Sequence, residues 1–433
     1  NINVSYELCR MSYCQKCIVT VVFVWLFTIV ENYSQGPLIE INFPTISSVN
    51  LHPTGIPTAT PFVSLNAGGL TLRFDDLEAD YKTYHFRLIH CSSDWWPSDL
   101  HPSEYLDGFY EAPITNMEDS FGTMVNYTHY RVDLPNMDIQ WTRSGNYCIE
   151  VFDPHYPDQI LLRKRFVVFE ELCSVDARVK EPVDVSKRRT HQEVNFSVNE
   201  ESYSLIDPYS NLFVAVLQNG RWDNSIGGLT PRFIKGKELD YSNVGYVFPG
   251  GNSYRFADLK SLSFVARGVA GIKQGDRTFH HLLSPSERRT YKYHSSRPDI
   301  NGRFVISNDR FEAHTGSDYT RAHFSLPMPY KLHSREVYVF GDISNGRYLE
   351  SHKLFWDEES SSYKGSILLK QGYYDYLYIV KEEGADPFEC GYTADLEGNH
   401  FATNNLYTII VYYSDFEGYD RVIGFAQWNS NQQ

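Results

Sequence analysis

The sequence predicts an all-β protein made of tandem β-sandwiches, immunoglobulin-like and early-set in kind. Three observations predict it. Aromatic residues abound (Trp 7, Tyr 32, Phe 27) while methionine is scarce (Met 5), and aromatic rings favour the pleated, half-buried surface of a sheet. Apolar and polar residues alternate with period two in one segment after another, the mark of antiparallel strands with one wet face. Short strands follow one another without intervening helical patterns, which reads as a sandwich. A chain of 433 residues holds several domains of ordinary size.

In chain order, Arg10 and Lys16 precede an apolar run at 17–30. It is shorter than the roughly 20 residues of a membrane span and suits the apolar core of a secretory signal. Met11 suits the true start, and cleavage is expected near Ser34 and Gln35. Residues 1–35 therefore read as upstream sequence plus signal peptide, and the mature protein as exported and not lipid-anchored. The first sandwich is expected over 36–172. It opens on an extended, proline-dotted approach at 37–61. Leu70, Leu72 and Phe74 then face inward while Thr71 and Arg73 face water, and Tyr84, Phe86 and Leu88 repeat the pattern. The acids of 75–80 between them read as a solvated polar turn, since the calcium-loop spacing is absent.

The stretch 90–135 is the most informative. It joins two strands through roughly thirty residues without periodicity, and connections of that length are functional or disordered. Trp95, Trp96, Tyr105, Phe109, Tyr110 and Phe121 supply too much apolar surface for disorder, so an ordered, folded-back loop is expected. Strands at 127–134, 145–152 and 161–169 follow, the last two as a hairpin. A middle sandwich is expected over 173–317, beginning in a charged segment with Lys187, Arg188 and Arg189. Its strands are 193–198, 212–218, 254–256 and 279–283, and Asn219-Gly220 signals a hairpin turn. The segment from Arg297 to Phe304 reads as a linker-to-strand joint. The last sandwich is expected over 318–433, with strands at 320–327, 337–340, 366–369, 373–380 and 407–413 and a polar tail past Trp428.

Composition and motifs narrow the function. A net charge of −15 makes nucleic acid and anionic lipid poor partners. Irregular strand spacing and proline-rich loops argue against a transmembrane barrel. The sequence carries no G-x-S-x-G, H-E-x-x-H or phosphate-loop motif. His90, Cys91 and His101 match no ligand spacing. The acids Asp94, Asp99, Glu104 and Asp107 beside Trp95 and Trp96 would suit a sugar-cleaving pair if held about 5–9.5 Å apart, but loop acids more commonly cap turns. Beyond residue 35 lie Cys91, Cys148, Cys173 and Cys390, read as buried thiols or one incidental bridge. No catalytic residue, cofactor, metal or small-molecule substrate is expected. Trp95 and Trp96 either clamp the loop to its sandwich or meet a partner.

The segments HCSSDWWPSDL, EYLDGFYE, VNYTHYRVDLP and SGNYCIEVF resemble the plug protein family of the type IX secretion system of gliding and pathogenic Bacteroidetes. The resemblance continues through LQNGRWDN, PDINGRF, VYVFGD, LLKQGYYDYLYIV and the closing run Tyr419 to Phe425, in order along nearly the whole mature chain. It departs at the N-terminus, at Ser92-Ser93, and after Gly341, where a tryptophan is missing. The resemblance implies a non-enzymatic periplasmic protein, monomeric within a hetero-complex, that docks on and closes the periplasmic end of the outer-membrane translocon barrel. Side-chain type and loop position, independently of the family, pick Trp95, Trp96, Tyr105, Phe109, Tyr110, Arg221 and Trp222 as candidate partner contacts, because Trp, Tyr and Arg dominate binding hot spots. The alternative expectation is an exported carbohydrate-binding or polysaccharide-processing sandwich protein, whose aromatic faces stack on sugars.

Overall fold

Period-two alternation becomes two-sheet packing in the first sandwich. Leu70, Leu72 and Phe74 on Leu70–Asp76, and Phe86 and Leu88 on His85–Cys91, enter one core together with Tyr84. The computed structural model that shows this describes residues 37–200, 203–243, 245–292, 294, 297–309, 312–386, 389–414 and 418–431. The expected leader at 1–35 lies outside them. Among the described residues strands dominate and the α-helices are single turns, so the chain is all-β.

One sheet of this sandwich orders Ile46–Pro53, Leu70–Asp76, Thr128–Leu134 and Asn116–Asp119. The other orders Ile41–Asn42, Ile160–Phe169, Gly145–Phe152, His85–Cys91 and Glu111–Pro113, including the expected hairpin. The proline-dotted approach conceals the strand Ile46–Pro53. Its register shifts between Ser47 and Asn50, and a bulge of that kind breaks the alternation that reveals a strand. Thr71 is buried, not wet, because its hydroxyl donates to Asp133 at 2.7 Å. Asp75 and Asp76 are likewise buried strand residues and not part of a solvated turn.

The two later sandwiches do not follow one another along the chain. Leu212–Gln218 pairs with Leu406–Ser414, which pairs with Asp420–Asn429. With Ile226–Leu229 they form a sheet that shares a core with Cys173–Lys180, His191–Glu200 and Glu238–Asp240. The last two strands of the chain thus complete the middle sandwich, and the third is inserted within it. Its sheet of nine strands runs from Arg255–Asp258 through Gly372–Glu382, Arg335–Phe340, Ser362–Lys370 and Tyr319–Pro327 to Val269–Gln274. Ala257 and Val269, at opposite ends, enter one core, so the sheet folds over on itself. The divisions expected at 173–317 and 318–433 are corrected accordingly. Asn219 and Gly220 do turn the chain, with φ of 55° and 70°. The strand that pairs back begins only at Ile226, however, so a longer connection carrying Trp222 replaces the tight hairpin.

Candidate functional site: the junctions around the aromatic loop

The loop after His85–Cys91 is ordered by local chemistry. Pro102–Tyr105 forms a single helical turn, in which the His101 side chain accepts from the Ser103 amide and Glu104 accepts from the His101 amide at 2.7 Å. Just before it the chain reverses tightly, with Trp95 in the left-handed region at φ 67°. That reversal sends the two tryptophans opposite ways: Trp95 is 5% exposed and Trp96 40%. Tyr105 is buried too, its hydroxyl donating to the Leu88 carbonyl at 3.2 Å. Beyond it Leu106–Gly108 pairs with Ile139–Trp141 as a two-stranded ribbon. A Cβ on Gly108 would stand 2.1 Å from the Asp138 carbonyl oxygen, so only glycine admits this approach. The Phe109 amide donates to that same oxygen at 2.7 Å. On this ribbon and the turn it pairs with, Phe109, Tyr110 and Met137 are 64%, 46% and 98% exposed.

The front of the loop is fastened to the other two sandwiches. Trp95 meets Trp222 edge to face at 4.8 Å, and the Arg165 guanidinium lies over the Trp95 ring at 4.5 Å. Arg221, largely buried, makes paired bonds to Asp223 at 2.9 and 2.6 Å and covers the Phe340 ring at 4.7 Å. Burial works against its charge, but the Asp223 carboxylate outweighs it and holds the guanidinium well above its ordinary pKa. Arg303 pairs with Asp342 at 2.7 Å, and a Cβ on Gly220 would come within 2.4 Å of the Thr60 methyl group. The segment 217–224 thus stands where all three sandwiches meet. The strands Leu406–Ser414 and Asp420–Asn429 add more. The Ser93 amide donates to Asp420 at 2.7 Å, the Tyr412 hydroxyl to the Asn146 side chain at 2.9 Å, and Phe425 stacks on Phe169 at 4.3 Å.

The back of the loop is locked to the inserted sandwich around a buried charge. Asp75 accepts from Lys370 Nζ, from the Tyr319 hydroxyl and from His129 Nδ1, each at 2.7 Å. Burial alone would raise the pKa of this carboxyl, yet Lys370 and His129 carry it below its ordinary value. The ammonium also sits 3.9 Å above the Tyr127 ring, whose hydroxyl donates to the Ser317 carbonyl at 2.7 Å. Asp318 accepts from the Met124 and Val125 amides at 2.7 and 3.1 Å. His314, stacked on His129, is pushed down to about 3, chiefly by burial and then by Arg73.

Of the seven sequence candidates, Trp95 and Tyr105 are buried within the chain, while Arg221 and Trp222 are half-buried, Arg221 against Asp223 and Phe340 and Trp222 against Trp95. Trp96, Phe109 and Tyr110 stay exposed. Met137 and the Asp75–Lys370 pair escaped sequence reasoning, although a lysine inside the apolar run LLKQGYY was a usable signal. The suspected sugar-cleaving acids Asp94, Asp99, Glu104 and Asp107 are all exposed. The oxygens of Asp76, Glu78 and Asp80 converge closely enough for a cation. Their cation is the chain's own: Lys82 Nζ pairs with Glu78 and lies 3.0 Å from both Asp76 and Asp80. An open groove of about 540 Å³ runs past Asp176, Arg178, Lys180, Asn195 and Asp240. Its one aromatic ring, Phe196, is buried in the core beneath.

Residues 46–170 match the family model described as the type 9 secretion system plug protein 1st domain. The chain belongs to the type IX secretion system plug protein family. A hypothetical protein of Parabacteroides merdae, solved by crystallography, is 32% identical and superposes with a TM-score of 0.87, covering 91% of this chain and 100% of its own. The partial N-terminal region of an enterococcal surface protein is 9% identical at a TM-score of 0.17, too low to carry an argument. None of the curated proteins compared matches the chain. Among the described residues, no helix is long and apolar enough to cross a membrane. The segments that carried the plug resemblance prove to be mortar: HCSSDWWPSDL, LQNGRWDN, PDINGRF and VYVFGD supply Trp95, Trp222, Arg221, Arg303, Phe340 and Asp342 to a single junction.

Proposed function

We propose that this plug-family chain is a non-enzymatic periplasmic stopper that docks on the periplasmic end of the outer-membrane translocon barrel and closes it while no cargo is engaged. The observation that carries the reading is that the segments behind the plug resemblance lock three sandwiches to one another. A seal over a wide channel needs a broad body that does not flex, and largely buried pairs such as Arg221–Asp223 and Asp75–Lys370 hold one geometry. The contact surface is the ribbon that the junctions leave free. Phe109, Tyr110 and Met137 are its exposed apolar side chains, with exposed Asp107, Glu111 and Asp138 next to them in the chain and Trp96 exposed on the same loop.

The test is co-purification from outer membranes. Phe109→Ser, Tyr110→Ser and Met137→Ser together should leave the fold intact, since exposed substitutions stay within about 0.5 kcal/mol each, and should abolish recovery with the barrel. Equal recovery of variant and parent would sink the contact assignment. Deleting the gene should make cells permeable to large antibiotics; cells that stay impermeable would sink the plug reading itself.

A further inference from the structure

Cys91 and Cys148 lie on adjacent antiparallel strands with their sulfur atoms 3.9 Å apart, and both are fully buried. In the ladder Cys91 stands opposite Asn146 and Cys148 opposite Ile89. The two thiols are therefore diagonal neighbours, two positions apart on one face of the sheet. It is not the core face, which carries Tyr147, Ile149 and Val151. The thiols instead sit on the outer face, where Arg165 is the ladder partner of Cys148, Trp95 covers Arg165, and Tyr412 of the middle sandwich reaches Asn146. Diagonal neighbours in an ideal ladder have Cα atoms about 7–8 Å apart, long for a bridge. The sulfurs nevertheless stand 3.9 Å apart, so a bond of about 2.05 Å needs only a further small approach of the two side chains.

We propose that Cys91 and Cys148 are a disulfide-forming pair, joined during folding by exchange with a small or protein-borne disulfide before the middle sandwich seals them in. The placement in an oxidising compartment rests on the periplasmic reading above; the pairing itself rests on geometry alone. A thiolate at Cys148 attacks the oxidant disulfide, forming a mixed disulfide and expelling one thiolate. The Cys91 thiolate then attacks the Cys148 sulfur and expels the second. Two protein thiols are oxidised, the oxidant is reduced to two thiols, and the two protons pass to the departing sulfurs. The order of events matters because burial pushes the Cys148 thiol well above its ordinary pKa, so the finished interior disfavours the attacking thiolate. In the open chain a thiol titrates near about 8.5 and exchanges readily. The resulting loop, from 91 to 148, encloses the whole aromatic segment. It pins that segment's root beside Ser92, whose carbonyl accepts from the Asn146 side chain at 3.0 Å.

The full chain is denatured, reduced and refolded in a mixture of oxidised and reduced glutathione, then denatured again without reductant, alkylated and peptide-mapped. Alkylation of Cys91 and Cys148 should fall to background, a linked pair of peptides should appear, and both sites should return on reduction. Cys91→Ser should restore full alkylation of Cys148. Free thiols at both positions after refolding, or a link from Cys148 to a different cysteine, would overturn the proposal. The same mapping on protein isolated from cell envelopes separates the two readings. A bond that forms on refolding but is absent there would refute the oxidising-compartment reading and leave the pairing standing.

Discussion

Lys370→Met leaves the Asp75 carboxylate buried without its main countercharge, and the structure sets the scale of the damage. At 2.7 Å and an effective dielectric of about 20, the two charges attract by about 6 kcal/mol. Desolvating each ion costs several kcal/mol, so the intact pair nets far less than the attraction. Removing one partner keeps the desolvation cost and loses the attraction, and buried pairs broken in this way lose about 3–5 kcal/mol. Tyr319 and His129 still donate to Asp75, which places the expected loss near the lower end, about 3 kcal/mol. Asp75→Asn combined with Lys370→Met removes both charges and should recover most of that loss.

Urea unfolding followed by near-ultraviolet circular dichroism measures this cycle. The two residues belong to different sandwiches, so the single variant should also uncouple them, splitting one transition into two as the first sandwich opens alone. The acid dependence has a definite sign. The folded pKa of Asp75 is depressed, so its contribution is complete above the ordinary value of about 3.9 and is lost as the pH falls through the lower folded value. A single-variant loss under about 1 kcal/mol, or a double variant as unstable as the sum of the singles, would refute the buried-charge reasoning.

Two further outcomes follow from the same geometry. Burial pushes His90 and His352 down to about 4. Unfolded histidine binds its proton near about 6.5, so each contributes stability that is complete above that value and is lost as the pH falls towards 4. At pH 5 the loss is about 2 kcal/mol per histidine, and His90→Gln should flatten that part of a stability-against-pH profile without changing its acid end. Arg221→Met strands Asp223 in the three-way junction and should cost about 3 kcal/mol. Limited proteolysis should then cut between sandwiches that the parent protects, and unchanged protection would count against a junction role.

Local periodicity carried the strands because it needs only neighbouring residues: Leu70, Leu72 and Phe74 face the core as their spacing says. Sequence failed where a position is set from far away. Asp420–Asn429 was missed as a strand because Gly424 interrupts its apolar run. The structure needs that glycine, since a Cβ there would stand 2.4 Å from the Cys173 sulfur. Leu212–Gln218 was recognised as a strand, but nothing beside it announces Leu406–Ser414 as its neighbour. The candidate contact residues divide in a more instructive way. Trp95, Arg221 and Trp222 were chosen because large flat side chains dominate desolvated contacts, and they do lie in desolvated contacts, between sandwiches of one chain. Residue type identifies an interface but not whose it is. What separates Trp95 from Phe109 is a left-handed residue in a tight reversal for one and a glycine-admitted ribbon for the other. Both are backbone facts that residue composition does not contain, so the docking surface has to be sought among the side chains that the junctions leave over.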